Sequence, residues 1–179
     1  MKKYVEKNAT PLMAAAIVAV VDLFSKEVAL DNLAHRGREV IPGFFDLSLA
    51  FNRGVSFSMF ADTQNSLNIL GYSIPADLWL PVKFTLISAV AIVLFLWWMK
   101  GEECPHSRLG LGLIVGGAIG NMVDRIRFGA VVDFLDFYYQ GWHFPTFNIA
   151  DSAITVGVFL ILWSTLRQYR ADKRRTHTQ

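Results

Sequence analysis

The sequence predicts an all-α membrane bundle of four transmembrane helices with a small β-sheet on its outer face. Three observations carry that expectation. The 179-residue chain is 53% hydrophobic and only 18% charged, which is too apolar for an ordinary soluble domain. Four segments are long and apolar enough to cross roughly 30 Å of hydrocarbon. Ten of the 17 Lys and Arg residues gather on one side of those segments. The length suits one domain, so residues 1–179 are expected to form a single integral membrane unit.

The first span covers about residues 11–30. Lys2, Lys3 and Lys7 ahead of an apolar core look like a secretory leader. No small-residue cleavage site follows, however, and the apolar stretch runs past Asp22, so an uncleaved span is expected. The second span, about 78–99, ends in Phe95, Trp97 and Trp98. The third, about 109–125, carries Gly110, Gly112, Gly116, Gly117 and Gly120. Gly112, Gly116 and Gly120 recur every four residues and put small side chains on one helix face, which favours close helix packing. The fourth span is about 149–169.

Lys2, Lys3, Lys7, Lys100, Arg108, Arg167, Arg170, Lys173, Arg174 and Arg175 flank the spans on one side, whereas residues 129–147 contain no Lys or Arg. The positive-inside rule then puts both termini in the cytoplasm. The loops 31–77 and 129–147 face outward. Net charge is +2, so no nucleic-acid partner is expected. The single cysteine, Cys104, excludes an intrachain disulfide. His35, His106, His143 and His177 form no metal-ligand spacing and read as loop residues; no metal and no cofactor is expected.

Within the first outer loop, Leu47, Leu49 and Phe51, then Val55, Phe57 and Met59, alternate with smaller or polar residues, which is a strand period. Asn52, Arg53 and Gly54 supply a turn between the two runs. The product is a small sheet at the membrane surface, either facing lipid or packing on the bundle. Residues 62–77 are more polar and read as a mobile loop.

Charged residues at membrane depth demand a partner or a function. Asp22 and Lys26 are four apart, on one helical face, and can form an ion pair. They are structural, or they support a site. Asn121, Asp124 and Arg125 close the third span; Asp133 and Asp136 follow Gly129; Asn148 and Asp151 open the fourth span. Two carboxylates held within hydrogen-bond reach cannot both ionise cheaply, so one keeps its proton and the pair becomes an acid and a base sharing a water. That is the minimal equipment for aspartic peptide hydrolysis. Asp124 has Arg125 and Arg127 beside it, which would hold it ionised, while Asp133 sits in an apolar Val-Val-Asp-Phe-Leu setting. The expected pair is Asp133 with Asp151, with Asp124 structural or orienting. Asp124 with Asp151 is the other possible pairing.

These stretches resemble a known family. VVDLFSK, FNRGVSFS, GGAIGNMVDRIRFGAVVDFLDF and FNIADSAI together are similar to bacterial lipoprotein signal peptidase, also called signal peptidase II, over nearly the whole chain. The resemblance implies four spans in the bacterial cytoplasmic (inner) membrane, an active site opening toward the outer leaflet, and a β-cradle there. It implies an aspartic endopeptidase cleaving prolipoproteins just before a diacylglyceryl-modified cysteine, with Asp133 and Asp151 catalytic. Asn52, Gly54, Asn121, Arg125 and Asn148 fall on substrate-binding or supporting positions. The partners implied are prolipoprotein substrates and membrane lipid, and a monomer is expected. One departure is Phe51 where many relatives have arginine, with Val55 and Ser56 after Gly54; Arg53 stands one position away as a replacement cation.

Intramembrane aspartates also mark proton-coupled transporters. Four spans are few for that, no inverted repeat is visible, and the acids cluster at one face. A non-catalytic lipoprotein-binding factor on the same scaffold is the other alternative; the intact Asp133 and Asp151 argue against it.

Overall fold

In the computed structural model, which describes residues 2–34, 36–54, 67–69 and 72–176, each expected span lies inside a helix. These are α1 (Lys2–Leu33), α2 (Ala76–Gly101), α3 (Pro105–Phe128) and α4 (Ile149–Thr176). The helices outrun the expected spans because polar ends remain helical. Pro11 lies inside α1 instead of opening it. Among the described residues three helical stretches are long and apolar enough to cross a membrane: Trp79–Gly101, Pro105–Phe128 and Ile149–Arg174. In α1 the apolar stretch is interrupted by Asp22 and Lys26.

α3 is the central helix and packs against the other three. Its glycines make this possible. A Cβ on Gly112 would meet the Pro11 backbone, and one on Gly116 would come within 2.5 Å of the Ala15 carbonyl, both on α1. Gly110 and Gly117 do the same toward α4, where a Cβ would lie 2.6 Å from the Gly157 carbonyl and 2.5 Å from that of Ala150. The small-residue stripe therefore serves two neighbours, with the spacing of four turned to α1.

A small antiparallel sheet is present, and it takes strands from both expected outer loops. β1 (Arg38–Ile41) and β2 (Phe45–Asn52) form an antiparallel pair, and β2 pairs on its other side with β5 (Val131–Tyr139), which pairs with β6 (Trp142–His143). The partner of Leu47, Leu49 and Phe51 is thus a strand in the second loop, about 80 residues on; Asn52 faces Val131. Residues 55, 57 and 59, expected as the partner run, and Ser56 lie outside the described residues. The 129–147 loop is a hairpin: Gln140 and Gly141 both have positive φ (50° and 81°), the backbone of the two-residue turns that match strand twist. Part of the 62–77 segment, expected as a mobile loop, is also ordered as strand: β3 (Leu67–Ile69) pairs with β4 (Tyr72–Ile74). Two histidine assignments change as well. His106 stands in the first turn of α3 and His143 in β6; His35 and His177 lie outside the described residues.

The sheet sits on the end of the bundle where α1 and α3 finish and α4 begins. Ala29 and Leu33 of α1 pack with Phe134, Leu47, Leu49, Leu135 and Ile149. Gly129 ends α3 in the left-handed conformation (φ 70°), its N–H donating to the Arg125 carbonyl at 3.0 Å. This turns the chain at once into β5.

Gly120 lies against a charged group, because an added Cβ would sit 3.1 Å from Asp22 Cγ, a buried carboxylate. Gly120→Ala is therefore expected to destabilise the protein by about 1–3 kcal/mol. Gly101→Ala, with nothing within 4 Å, should be near neutral. Thermal unfolding of the two variants in detergent checks the difference.

Candidate active site

The site is built on a buried cation. Lys26 is 2% exposed, with Nζ 2.7 Å from Asp22 Oδ2, 2.8 Å from Asp124 Oδ2 and 2.9 Å from Asn121 Oδ1. The expected Asp22–Lys26 pair is present, but the expected partner of Asp124 is not. Arg125 turns elsewhere, since residues one apart along a helix do not share a face, and Arg127, three residues on, is taken by Glu27 of α1. Arg125 donates to the Asn121 carbonyl and the Gly54 carbonyl, both at 3.2 Å.

Both carboxylates beside Lys26 then hold the elements that carry the candidate dyad. Asp22 Oδ1 accepts the Ala150 N–H at 2.8 Å, at the start of α4. Asp124 Oδ2 accepts the Val132 N–H at 3.1 Å, in β5. Asn148 caps α4: its Oδ1 accepts the Asp151 N–H at 2.9 Å, so two of the four unpaired N–H groups of that helix start are satisfied by Asp22 and Asn148. Asn148 stands beside β5 because Phe147 exchanges backbone hydrogen bonds with Leu135 at 2.9 and 3.1 Å.

Asp133 and Asp151 are joined through Asn148. Asn148 Nδ2 donates to Asp133 Oδ1 at 2.6 Å while its Oδ1 holds Asp151. Asn52 Nδ2 donates to Asp133 Oδ2 at 3.1 Å. The irregularity in β2 between Leu47 and Ala50 sets Ala50 opposite Asp133, which leaves Asn52 as its diagonal neighbour. Asn121 Nδ2 donates to Asp151 Oδ1 at 2.8 Å. Gly54 closes the turn after β2, its N–H on Asn52 Oδ1 at 3.0 Å, and its carbonyl takes Arg125. All of Asn52, Gly54, Asn121, Arg125 and Asn148 therefore lie in one network with the two aspartates. Asp124 contacts Lys26 and Val132 instead, one step away. Arg53 is exposed.

Burial pushes the Asp133 carboxyl up to about 7, and the neighbouring Asp151 charge adds to this. The amide donors of Asn52 and Asn148 and the charge of Lys26 oppose it without cancelling it. A cavity of about 540 Å³ opens beside the pair, lined by Asn52, Asp151, Phe144, Phe147, Ile154 and Thr155 among others. Its mostly apolar walls come from α4 and the segment before it. Sequence reasoning missed Phe144, Phe147 and Thr155, which carry no chemistry of their own, and the pairing of Asp136 with His143. The alternation in VVDFLDFYY, bounded by Gly129 and Gly141, was the signal for the hairpin that brings Asp136 to His143.

Comparison with known proteins matches this architecture. The family described as "Signal peptidase (SPase) II" matches residues 14–167. A lipoprotein signal peptidase of Burkholderia ambifaria (strain MC40-6) is 38% identical over 180 residues, covering 97% of this chain and 100% of the relative. The lipoprotein signal peptidase of Syntrophotalea carbinolica is 39% identical over 163 residues, covering 89% and 90%. A solved structure described as "Bacterial membrane enzyme structure by the in meso method at 2.3 A resolution" superposes with a TM-score of 0.71 at 25% identity, covering 90% of each chain. A second, at 1.9 Å, gives 0.70 at 27% identity. Fold and relatives together define an integral membrane peptidase. The chain belongs to the signal peptidase II family.

Removing Lys26 strands Asp22 and Asp124 in the bundle interior. Breaking a buried ion cluster by deleting one partner costs about 3–5 kcal/mol. Lys26→Met is expected to lower the thermal unfolding midpoint sharply. Asp124→Asn should lower it too, by weakening the hold on Lys26 and not by freeing Arg125. Unfolding in detergent, followed by tryptophan fluorescence, reads both.

Proposed function

We propose that the protein is an aspartic endopeptidase that removes signal peptides from prolipoproteins, with Asp133 and Asp151 as its catalytic pair. The observation that carries this reading is the Asn148 side chain, bonded to Asp133 through its amide nitrogen and to the Asp151 backbone through its oxygen. It ties the Asp133 carboxyl to the backbone of Asp151, beside an apolar cavity that Asp151 lines.

The chemistry follows from one shared proton. The ionised carboxylate takes a proton from a water, whose oxygen attacks the scissile carbonyl. The protonated carboxyl gives its proton to the carbonyl oxygen, leaving a neutral tetrahedral diol. As the C–N bond breaks, the diol returns a proton to one carboxylate and the leaving nitrogen takes one from the other. Asp133, with its raised carboxyl, is the acid at neutral pH, and Asp151 the base. The bond cut is the one before a diacylglyceryl-modified cysteine. An apolar cavity bounded by the exposed side of α4 suits a substrate whose acyl chains stay in lipid. The family relationship supports the peptidase over the transporter and over a non-catalytic factor.

The same reading makes residues 1–179 one monomeric unit with four spans in the bacterial inner membrane. Both termini lie in the cytoplasm, and the sheet and site lie at the outer leaflet. α1 spans with the others because Asp22 and Lys26 neutralise each other against α3. The Lys and Arg residues at the far end of the bundle support this orientation.

Asp133→Asn and Asp151→Asn should each abolish cleavage of a diacylglyceryl lipopeptide while melting near wild type, since each keeps size and removes the carboxyl. Near wild-type turnover in either would sink the dyad. The pH profile has a definite sign. The proton on Asp133 is present below about 7 and lost above it. kcat/KM should therefore fall about tenfold per pH unit on the alkaline side, and a profile flat to pH 9 would contradict the assignment. For orientation, a thiol reagent confined to the outside should miss Cys104 and label a cysteine placed at Gly141; the reverse pattern would invert the topology.

A further inference from the structure

A second acid–base pair lies in the sheet, apart from the Asp133–Asp151 network. Asp136 is buried, and Nδ1 of His143 lies 3.0 Å from both of its carboxylate oxygens. A carboxylate only accepts, so Nδ1 carries the proton and donates it, whether or not the ring is charged. Ser48 Oγ donates to Asp136 Oδ2 at 3.4 Å. These donors answer a local problem, for Asp136 stands directly opposite Asp46 on β2, and like charges in directly opposed positions repel.

The pair also adds a side-chain tether to a short segment. β6 is two residues long, and its ladder consists of Tyr138 with His143 and Tyr139 with Trp142. The His143 ring stacks on its cross-strand partner Tyr138, centroids 5.0 Å apart and planes at 14°. The next residue, Phe144, donates its N–H to the Phe137 carbonyl at 2.7 Å and meets Phe147 edge to face at 5.9 Å. Phe144 and Phe147 are walls of the cavity that holds Asp151 and Asn52. The tether therefore acts one residue away from the cavity wall.

We infer that Asp136 and His143 are positioning residues for the peptidase reaction, holding the 142–147 strap so that Phe144 forms the apolar wall against which substrate binds beside Asp151. The inference rests on the catalytic reading given above. It assigns the tether to substrate binding and leaves bond cleavage to the dyad.

The test uses the full-length protein in detergent with a diacylglyceryl lipopeptide. His143→Ala and Phe144→Ala should each raise KM by about 5- to 30-fold, the range that a contact worth one or two kcal/mol would give, with kcat changed less than about twofold and the unfolding midpoint kept. His143→Asn should restore KM, because its amide nitrogen falls near the place of Nδ1 and can donate to Asp136. His143→Gln, which reaches toward the other ring nitrogen, should not. The double variant should raise KM no further than Phe144→Ala alone, since both act through one wall. Wild-type KM in His143→Ala, or His143→Asn no better than His143→Ala, overturns the inference. So does a fall in kcat and melting point together, which marks a general structural role. If His143→Ala fails to fold, Phe144→Ala and the Asn and Gln pair decide on the same terms. Asp133→Asn in the same assay separates the two readings. Residual cleavage there removes the dyad itself, whereas a dead Asp133→Asn beside an unaltered His143→Ala removes only the tether.

Discussion

Lys26 Nζ lies within 2.9 Å of Asp22, Asp124 and Asn121 in the buried interface of α1 and α3, and the position of the candidate site follows from it. Moving an ammonium and two carboxylates out of water costs several kcal/mol per ion unless every partner is present. The cluster therefore forms whole or not at all, and forming it fixes more than the two helices. Each carboxylate spends its remaining capacity on a backbone N–H of a further element, Asp22 on Ala150 at the start of α4 and Asp124 on Val132 in β5. One cation thus sets the relative placement of the helix start bearing Asp151 and the strand bearing Asp133. The glycines of α3 are a precondition, because only a residue without Cβ lets Gly120 lie against Asp22.

How much of this could be read from the sequence depended on whether the information was local. The helices were legible because apolar length is a property of contiguous residues, and so was the Asp22–Lys26 pair at a spacing of four. Neighbours in sequence favour Asp133 over Asp124 as a dyad member; in the fold Asp133 is buried and bonded to Asn52 and Asn148, and Asp124 meets Lys26. Arg125 and Arg127, close to Asp124 in sequence, bond to other partners, whereas Lys26, about 100 residues distant, packs against it. The sheet was only half legible for the same reason. The alternation of Leu47, Leu49 and Phe51 announced a strand, but its pairing with the distant Val131–Tyr139 rests on the core that Phe134, Leu47 and Leu49 share with α1, which no local pattern reveals.

The two aspartates come from different kinds of element, and this gives them different surroundings. Asp133 projects from a strand buried between β2 and the Phe147 segment, where burial outweighs the amide donors of Asn52 and Asn148 and its proton is held to about 7. Asp151 occupies the first turn of α4, capped by Asn148. There the helix start presents N–H groups and the positive end of the macrodipole. A strand and a helix start brought side by side thus surround two chemically identical side chains with different partners.

The contacts to the pair are made by neutral amides. Asn52 and Asn148 meet the oxygens of Asp133, and Asn121 meets Asp151. The nearby cations bind these intermediaries: Lys26 donates to the Asn121 side chain, while Arg125 donates to the Asn121 and Gly54 carbonyls. The distinction is physical. An amide donor orients a carboxylate at a cost to its proton affinity of a single neutral hydrogen bond, whereas a cation in direct contact would hold it ionised. A dyad clamped by Lys26 itself would be rigid and permanently charged, unable to pass a proton back and forth within one turnover. Placing Asn121 between Lys26 and Asp151 transmits the rigidity of the ion cluster while keeping its charge one residue away. On the catalytic reading proposed above, the three asparagines around the pair are spacers between a charged scaffold and a reaction that needs a mobile proton.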